Sequence, residues 1–423
     1  MKFKFLSKKV ATAALFGSLV VSGALAGCSS NSSTSSTNKE SKTTITVWGM
    51  GEEAKSLPKI AQAFEKENPN IDVQIQALPW DKAHDKLLTA VASKQGPDVV
   101  QMGTTWIPEF GSANALMDLS SVADKYPEIA ANNFYDGSVE TTKYDNKVVG
   151  VPWYIDTRVL YYRTDLLKQV GYDHAPKTWD ELRDAAKKLR ARGGNNYGIS
   201  IDTNEQSLAF MFARQNGSKL LDGNKPLFNQ KEFVDAVKYM DNFFKDDSAP
   251  KNDLGVDIIS AFKGNGMIPM FISGPWMVKL INDQAPDIKG NWATAVLPAK
   301  ENNISALGGS DLSIFQFTKH KDAALKFVAY MSKPETQLEW MKLVNALPAN
   351  KKAWEDPSLQ NDPMLKVFGE QMKNAQPMPG ITKFENIAQT FLKSNEQIFR
   401  GGADVQKTMD DFNKKAEEIL NKK

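Results

Sequence analysis

Reactive side chains are scarce in this 423-residue sequence. It holds one cysteine, Cys28, so no disulfide can form within the chain. Its three histidines, His84, His174 and His320, are scattered, with no H-E-x-x-H and no other metal-type spacing. There is no G-x-S-x-G elbow, no P-loop and no complete G-x-G-x-x-G, since Gly49-Met50-Gly51 opens like a dinucleotide turn and stops there. Carboxylates are plentiful, yet no spacing singles out an acid/base pair. Taken together, these absences describe a binder without cofactor or metal rather than an enzyme. Excess positive charge is missing too: 52 Lys+Arg face 50 Asp+Glu, and no basic domain stands out. Nucleic acid, which demands a concentrated positive face, is therefore a poor partner.

The one long apolar run lies at the N-terminus. Lys2, Lys4, Lys8 and Lys9 precede the apolar and small-residue stretch Val10–Gly27, a secretory signal too short and too rich in Gly, Ala and Ser for a membrane span. Without these four lysines the formal charge changes from +2 to about −2. Leu25-Ala26-Gly27-Cys28 resembles the bacterial lipobox. That resemblance implies cleavage before Cys28, acylation of its thiol (palmitate) and a chain anchored at the outer face of the cytoplasmic membrane. An ordinary signal peptide with an incidental cysteine is the alternative. The following segment, SSNSSTSSTNKESKTT, has no apolar residue and reads as a flexible tether. The expected boundaries are 1–27 for the signal and 28–43 for the tether.

The remaining ~380 residues exceed one ordinary core, so two domains are expected. No internal repeat is visible. Strands are expected at Thr44–Trp48, Ile71–Leu78 and Val99–Met102, with helices between them at Leu57–Asn68 and Trp80–Ser93. This β-α-β-α-β alternation predicts an α/β fold with a mostly parallel sheet. Helices are expected to continue at Thr105–Leu116 and Leu119–Tyr126. Lys147–Tyr162 is β-rich but broken by Pro152, which argues against a regular central strand and suggests a crossing between domains. Thr178–Arg190 reads as a helix capped by Thr178, with Glu181 three residues on. Further helices fit Ser207–Asn216, Lys231–Phe244, Asp322–Ser332, Glu335–Leu343, Leu365–Asn374, Ile387–Phe399 and Asp404–Asn421. Short strands fit Met267–Phe271 and Trp292–Leu297.

Several segments in order carry a family resemblance: Thr44–Trp48, Phe64-Glu65-Lys66-Glu67-Asn68-Pro69, Gly96-Pro97-Asp98-Val99-Val100, Val151-Pro152-Trp153-Tyr154, Gly274-Pro275-Trp276, Gly308-Gly309 and Pro377-Met378-Pro379. Over essentially the whole mature chain, the sequence resembles the extracellular solute-binding proteins of carbohydrate ABC transporters, the group that includes maltose-binding protein. The resemblance implies a two-lobed periplasmic-binding-protein-like fold, each lobe a mostly parallel sheet with flanking helices. Lobe 1 would take 44–151 and 299–345, and lobe 2 would take 152–298 and 346–423. A multi-crossing hinge is implied near Gly150–Tyr154, Leu297–Ala299 and Leu343–Pro348, closing over a ligand by rotation. The implied partners are a carbohydrate, expected to be a short oligosaccharide, and a permease with a cytoplasmic ATPase. The protein itself is expected to be a monomer.

Nine Trp, ten Tyr and 22 Phe supply rings on which the apolar C–H faces of sugars stack. Trp276, in the Gly-Pro-Trp turn, is the leading platform by the resemblance; a core tryptophan is the alternative. Asp156, just past Pro152, is a candidate for gripping sugar hydroxyls, with Trp153 beside it, or else it pairs with Arg158; both readings are compatible. Trp106 follows a strand end, where open α/β sheets bind ligands. Glu52 and Glu53 occupy the same position after the first strand, or simply suit a helix N-terminus. Gly308, Gly309 and Asp311 offer backbone N–H groups and a carboxylate, or form a plain turn. Asn204, Glu205, Trp80 and Asp85 are further candidates. Phe384 stands where relatives place an aromatic, but the region departs from their tryptophan-rich versions, which puts an extended maltodextrin path in doubt. Trp179, Trp340 and Trp354 read as packing residues on amphipathic helices.

Other readings stay open on the residues alone. One is a binder of another solute (a sugar phosphate, a polyol or iron), though no Arg cluster or Tyr/His pairing favours it. The other is a secreted carbohydrate-active enzyme with an aromatic groove. A structural or adhesive lipoprotein is a third, and it predicts no closure on a ligand.

Overall fold

The computed structural model describes residues 42–51 and 53–422. The signal segment, Cys28, most of the tether and Glu52 lie outside the described residues.

The larger of two main sheets has seven strands. In chain order they are β1 (Thr43–Met50), β2 (Ile71–Leu78), β3 (Val99–Gly103), β4 (Val151–Thr157), then, after three strands of the smaller sheet, β8 (Ser305–Ile314), β9 (Leu347–Pro348) and β10 (Ala375–Pro377). The smaller sheet holds β5 (Val159–Arg163), β6 (Met270–Ser273) and β7 (Trp292–Ala295). The large sheet runs β9-β4-β8-β3-β1-β2, with β10 beside β8.

The β-α-β-α-β start is present. Helix α1 (Leu57–Glu67) joins β1 to β2, and α2 (Trp80–Ser93) joins β2 to β3, with β1 parallel to both strands. Alternation explains why β1 is buried on both faces. Ile45 and Val47 pack with Leu57, Ile60 and Phe64 of α1, whereas Trp48 and Met50 pack with Ala83, Leu87 and Ala90 of α2. The chain is mixed α/β and two-lobed. A separate cluster of Leu182, Phe210, Phe233, Phe391 and Phe412 forms the core around the helices beyond the small sheet.

Four local expectations change. The small sheet is antiparallel, because β6 and β7 flank β5 and both run against it. The helix Trp276–Gln284 between β6 and β7 carries the chain past β5, so the two outer strands run the same way. Pro152 sits inside β4, between two neighbours. Its missing N–H is tolerated because β9 reaches only Tyr154 and Ile155, while on the other side Pro152 lies opposite Asp311 at a register shift. Leu119–Tyr126 forms turns rather than a helix. Asp118 Oδ1 accepts from the backbone N–H and hydroxyl of Ser120, a local bond that competes with the helical ladder. The helix before it, expected at Thr105–Leu116, is shorter, Ile107–Ser112, and Asn114 beyond it adopts a left-handed φ of 51°.

The chain passes from large to small sheet at Arg158, between β4 and β5, and returns between β7 and β8. The C-terminal ends of the central strands thus meet the loops of the second body.

Candidate functional site

A cleft of about 1170 Å³ opens at this junction. Its walls come from α2, the end of β3, the ends of β4 and β8, the loop 202–207, Pro275-Trp276 and helix α3 (Phe384–Phe399), whose side contributes Glu385, Asn386 and Gln389. The lining includes Trp276, Asp156, Arg158, Trp106, Gly308, Gly309, Asn204, Glu205, Trp80, Asp85 and Phe384. Positions distant in sequence, such as Trp80 and Phe384, are brought together because the strand ends converge on one edge.

Two backbone approaches need glycine. A Cβ on Gly309 would lie 2.2 Å from the Tyr154 carbonyl oxygen, and its φ of 125° is one that side chains rarely adopt. A Cβ on Gly308 would lie 2.5 Å from an oxygen of Asp156. The pair therefore lets β8 approach β4 closely and keeps room for the Asp156 carboxylate. Gly274 plays a similar part, since a Cβ there would strike the Trp276 ring at 2.1 Å. Trp276 itself begins a helix, Trp276–Gln284, rather than sitting in a bare turn.

Arg158 organises the charged floor. Its Nη1 donates to Asp156 Oδ1 at 2.9 Å, and its Nη2 donates to Glu205 Oε2 at 2.9 Å. Both acids and the arginine are mostly shielded from solvent. Burial raises the proton affinity of Asp156, opposed by the Arg158 charge and reinforced by Glu205. Burial acts on Glu205 in the same sense, but Arg158 and the Ser207 bonds more than offset it and hold its carboxyl below the usual range. The difference has a geometric cause: Arg158 bonds Glu205 through Nε and Nη2, and Asp156 through one nitrogen only. Asp156 pairs with Arg158 and faces the cleft as well.

Trp153 and Asp311 stand elsewhere. Trp153 is 1% exposed and stacks on Trp340 with centroids 4.8 Å apart, in the core of the large sheet. Alternation along β4 explains this, because Tyr154 and Asp156 line the cleft and the odd positions Trp153 and Ile155 do not. Asp311 is 1% exposed and takes its hydrogen bonds from Thr141 Oγ1. The register shift beside it turns the side chain inward, and burial pushes its carboxyl up to about 8. Glu53 opens a short 3-10 turn, Glu53–Ser56. Trp179 and Trp340 are buried packing residues, and Trp354 is partly buried against the same core as Trp340.

Other cleft residues escaped the sequence reading. His84 lies one helical turn beyond Trp80 on α2, and its Nε2 is 2.8 Å from Glu109 Oε2. Its ring meets Trp106 edge-on at 5.3 Å. The bond to Glu109 raises its proton affinity against the opposing effect of burial, with the charges of Glu109, Glu385 and Asp85 adding to the rise. Across the cleft, Gln206 donates to Glu385 Oε1 at 2.9 Å. The i,i+4 spacing from Trp80 to His84 and the i,i+3 spacing from Trp106 to Glu109 are the local signals that place each pair on one face. Among the described residues, no group of three or more His, Cys, Asp or Glu side chains is placed to hold a metal ion.

The model of the family described as bacterial extracellular solute-binding protein matches residues 49–338. The chain belongs to this family. As a bacterial extracellular solute-binding protein it is a binder and not an enzyme, and family membership places it among exported proteins. It is similar to the galactooligosaccharide-binding protein of Bacillus subtilis, 23% identical over 404 residues, covering 92% of each chain. It is also similar to the maltotriose-binding protein of Pyrococcus abyssi, 24% identical, covering 77% of this chain and 70% of the relative. Among solved structures, the sugar-binding protein MalE of Xanthomonas citri superimposes with a TM-score of 0.81 at 34% identity, covering 89% of this chain and 97% of the other.

Proposed function

We propose that this solute-binding protein captures a short oligosaccharide in the cleft and delivers it to an ABC permease with a cytoplasmic ATPase. The observation that carries this reading is the pairing of rings with a charged, hydrogen-bonding floor: Trp80, Trp106, Trp276 and Phe384 border the same cavity as Asp156, Arg158 and Glu205. Rings attract the apolar sugar faces, while the floor matches hydroxyls that each donate and accept. A cleft of about 1170 Å³ exceeds the usual small-molecule range and suits more than one sugar unit. The relatives named for galactooligosaccharide and maltotriose support the same class.

Closure of the two lobes over the sugar would use the strand connections at Arg158 and between β7 and β8 as hinges. Anchorage through lipid on Cys28 would keep the loaded monomer near the permease, at the outer face of the cytoplasmic membrane. Thermal shift and tryptophan fluorescence of the chain from Thr43 onward, against mono- and oligosaccharides, test the reading. A sugar that binds the native state raises the melting temperature by mass action. A flat response across sugars from folded protein overturns it.

A further inference from the structure

His84 is a cleft residue with a histidine's particular chemistry, and its surroundings are asymmetric. Nε2 is committed to Glu109, which fixes the ring from below, and Trp106 and Phe110 meet the ring at 5.3 and 5.6 Å. The other nitrogen, Nδ1, is 4.0 Å from Asp85 Oδ1, beyond hydrogen-bonding distance. Only 19% of the side chain is exposed. On the opposite wall, Glu385 is held the same way: Gln206 and Gln389 both donate to its Oε1, at 2.9 and 3.0 Å. Among the described residues no hydrogen bond reaches its Oε2. Both side chains line the one cleft, His84 from α2 of the large-sheet body and Glu385 from α3 of the other.

Resting on the sugar reading above, we propose that His84 and Glu385 form a two-sided clamp for one ligand hydroxyl, His84 donating from Nδ1 and Glu385 accepting at Oε2. A sugar hydroxyl has one proton and two lone pairs, so it can satisfy both partners at once. Both bonds are charge-assisted when His84 is an imidazolium, and they join the two bodies through the ligand. The neutral ring keeps its Nε2 proton on Glu109 and offers only a lone pair at Nδ1. The hydroxyl then has one proton for two acceptors and loses one bond.

The sign of the pH effect follows. The groups facing His84 are Glu109 from the helix Ile107–Ser112, Asp85 from its own helix and Glu385 from across the cleft, all acidic, and each favours the imidazolium. Ligand binding raises the proton affinity further, so the contribution is full below the free-protein pKa and is lost as pH rises through the bound value.

The test uses the mature protein with maltotriose and galactooligosaccharides as separate probes, by calorimetry at about pH 5.5 and about pH 8. The clamp predicts affinity about tenfold weaker at the higher pH, the scale of a charge-assisted bond. His84→Gln should bind at both pH values as the parent does at the higher one, and Glu385→Gln should weaken binding mainly at the lower. His174→Gln, on an exposed histidine, should retain the parent pH dependence. With three histidines in the chain, imidazole NMR resolves His84 directly, and its pKa should rise on adding the sugar that binds. Equal affinity at both pH values, or a pH dependence that survives in folded His84→Gln, overturns the clamp alone. No binding of either probe at any pH overturns the clamp together with the oligosaccharide reading.

Discussion

The guanidinium of Arg158 lies over the ring of Trp276, 5.0 Å from its centroid. Asp156 and Glu205 occupy the N–H edges of the same guanidinium, so only its planar face is left to meet the indole. The candidate stacking ring and the candidate polar floor are therefore one supported unit, fixed before any ligand arrives. Such preorganisation lowers the ordering cost of binding.

Removing the ring tests its part in the site. Trp276→Ala should weaken oligosaccharide binding by roughly 1–3 kcal/mol, the scale of a lost buried aromatic contact. Calorimetry on a variant shown to be folded by circular dichroism reads this out. Unchanged affinity would remove Trp276 from the site.

Removing the cation tests the floor. Arg158→Met leaves Asp156 and Glu205 buried without a counter-charge and should cost about 3–5 kcal/mol of stability at neutral pH. The sign with pH is informative. The Glu205 carboxyl is held low in the native protein, so its contribution is present above the unfolded pKa and disappears as pH falls through the folded one. The difference between parent and variant should therefore shrink in acid, as urea titrations at two pH values will show.

Asp311 gives the opposite pH dependence. With its carboxyl pushed up to about 8, the folded protein keeps a proton that the unfolded chain gives up near an ordinary carboxylate value. Between those two pKa values the native state holds more protons, so stability falls as pH rises, by at most about 1.4 kcal/mol per pH unit. Asp311→Asn should flatten this slope and stabilise the protein most near the upper end of the window. Denaturation midpoints across that window measure it, and an unchanged slope in the variant would assign the effect to another group.

The adjacent glycines should separate stability from binding. Gly309→Ala forces a side chain into a φ of 125° and against the Tyr154 carbonyl, so it should destabilise the fold by at least ~1–3 kcal/mol. Gly308→Ala presses on the end of the Asp156 side chain and should first reduce sugar affinity. Equal losses of stability in the two variants would refute the distinction.

Much of the architecture was legible in local pattern. Helix α2 spans Trp80–Ser93 as its spacing predicts, and Thr178 accepts from the Glu181 N–H to cap Trp179–Arg190. Both show an amphipathic period, and in the second a capping signal lies within a few residues of it. Turns at Asp118 and Asn114 were less legible, because a single side-chain bond or left-handed residue there overrides a favourable apolar period. Pro152 misled for a related reason: its strand position is tolerated by a register shift in β8, about 160 residues away.

The sequence by itself determined the α/β alternation, the absence of catalytic and metal motifs, and the family. These depend on short-range periodicity and on which side chains exist at all. Tertiary structure decided which residues face the cleft. It buried Trp153 and Asp311 while exposing their neighbours Tyr154, Asp156, Gly308 and Gly309 to it. It also brought His84 and Glu385, 301 positions apart in the sequence, to the walls of one cleft, which no local signal encodes. The physical reason is that a strand's facing is fixed by register with its neighbours, and a cleft's opposite wall by packing of distant elements.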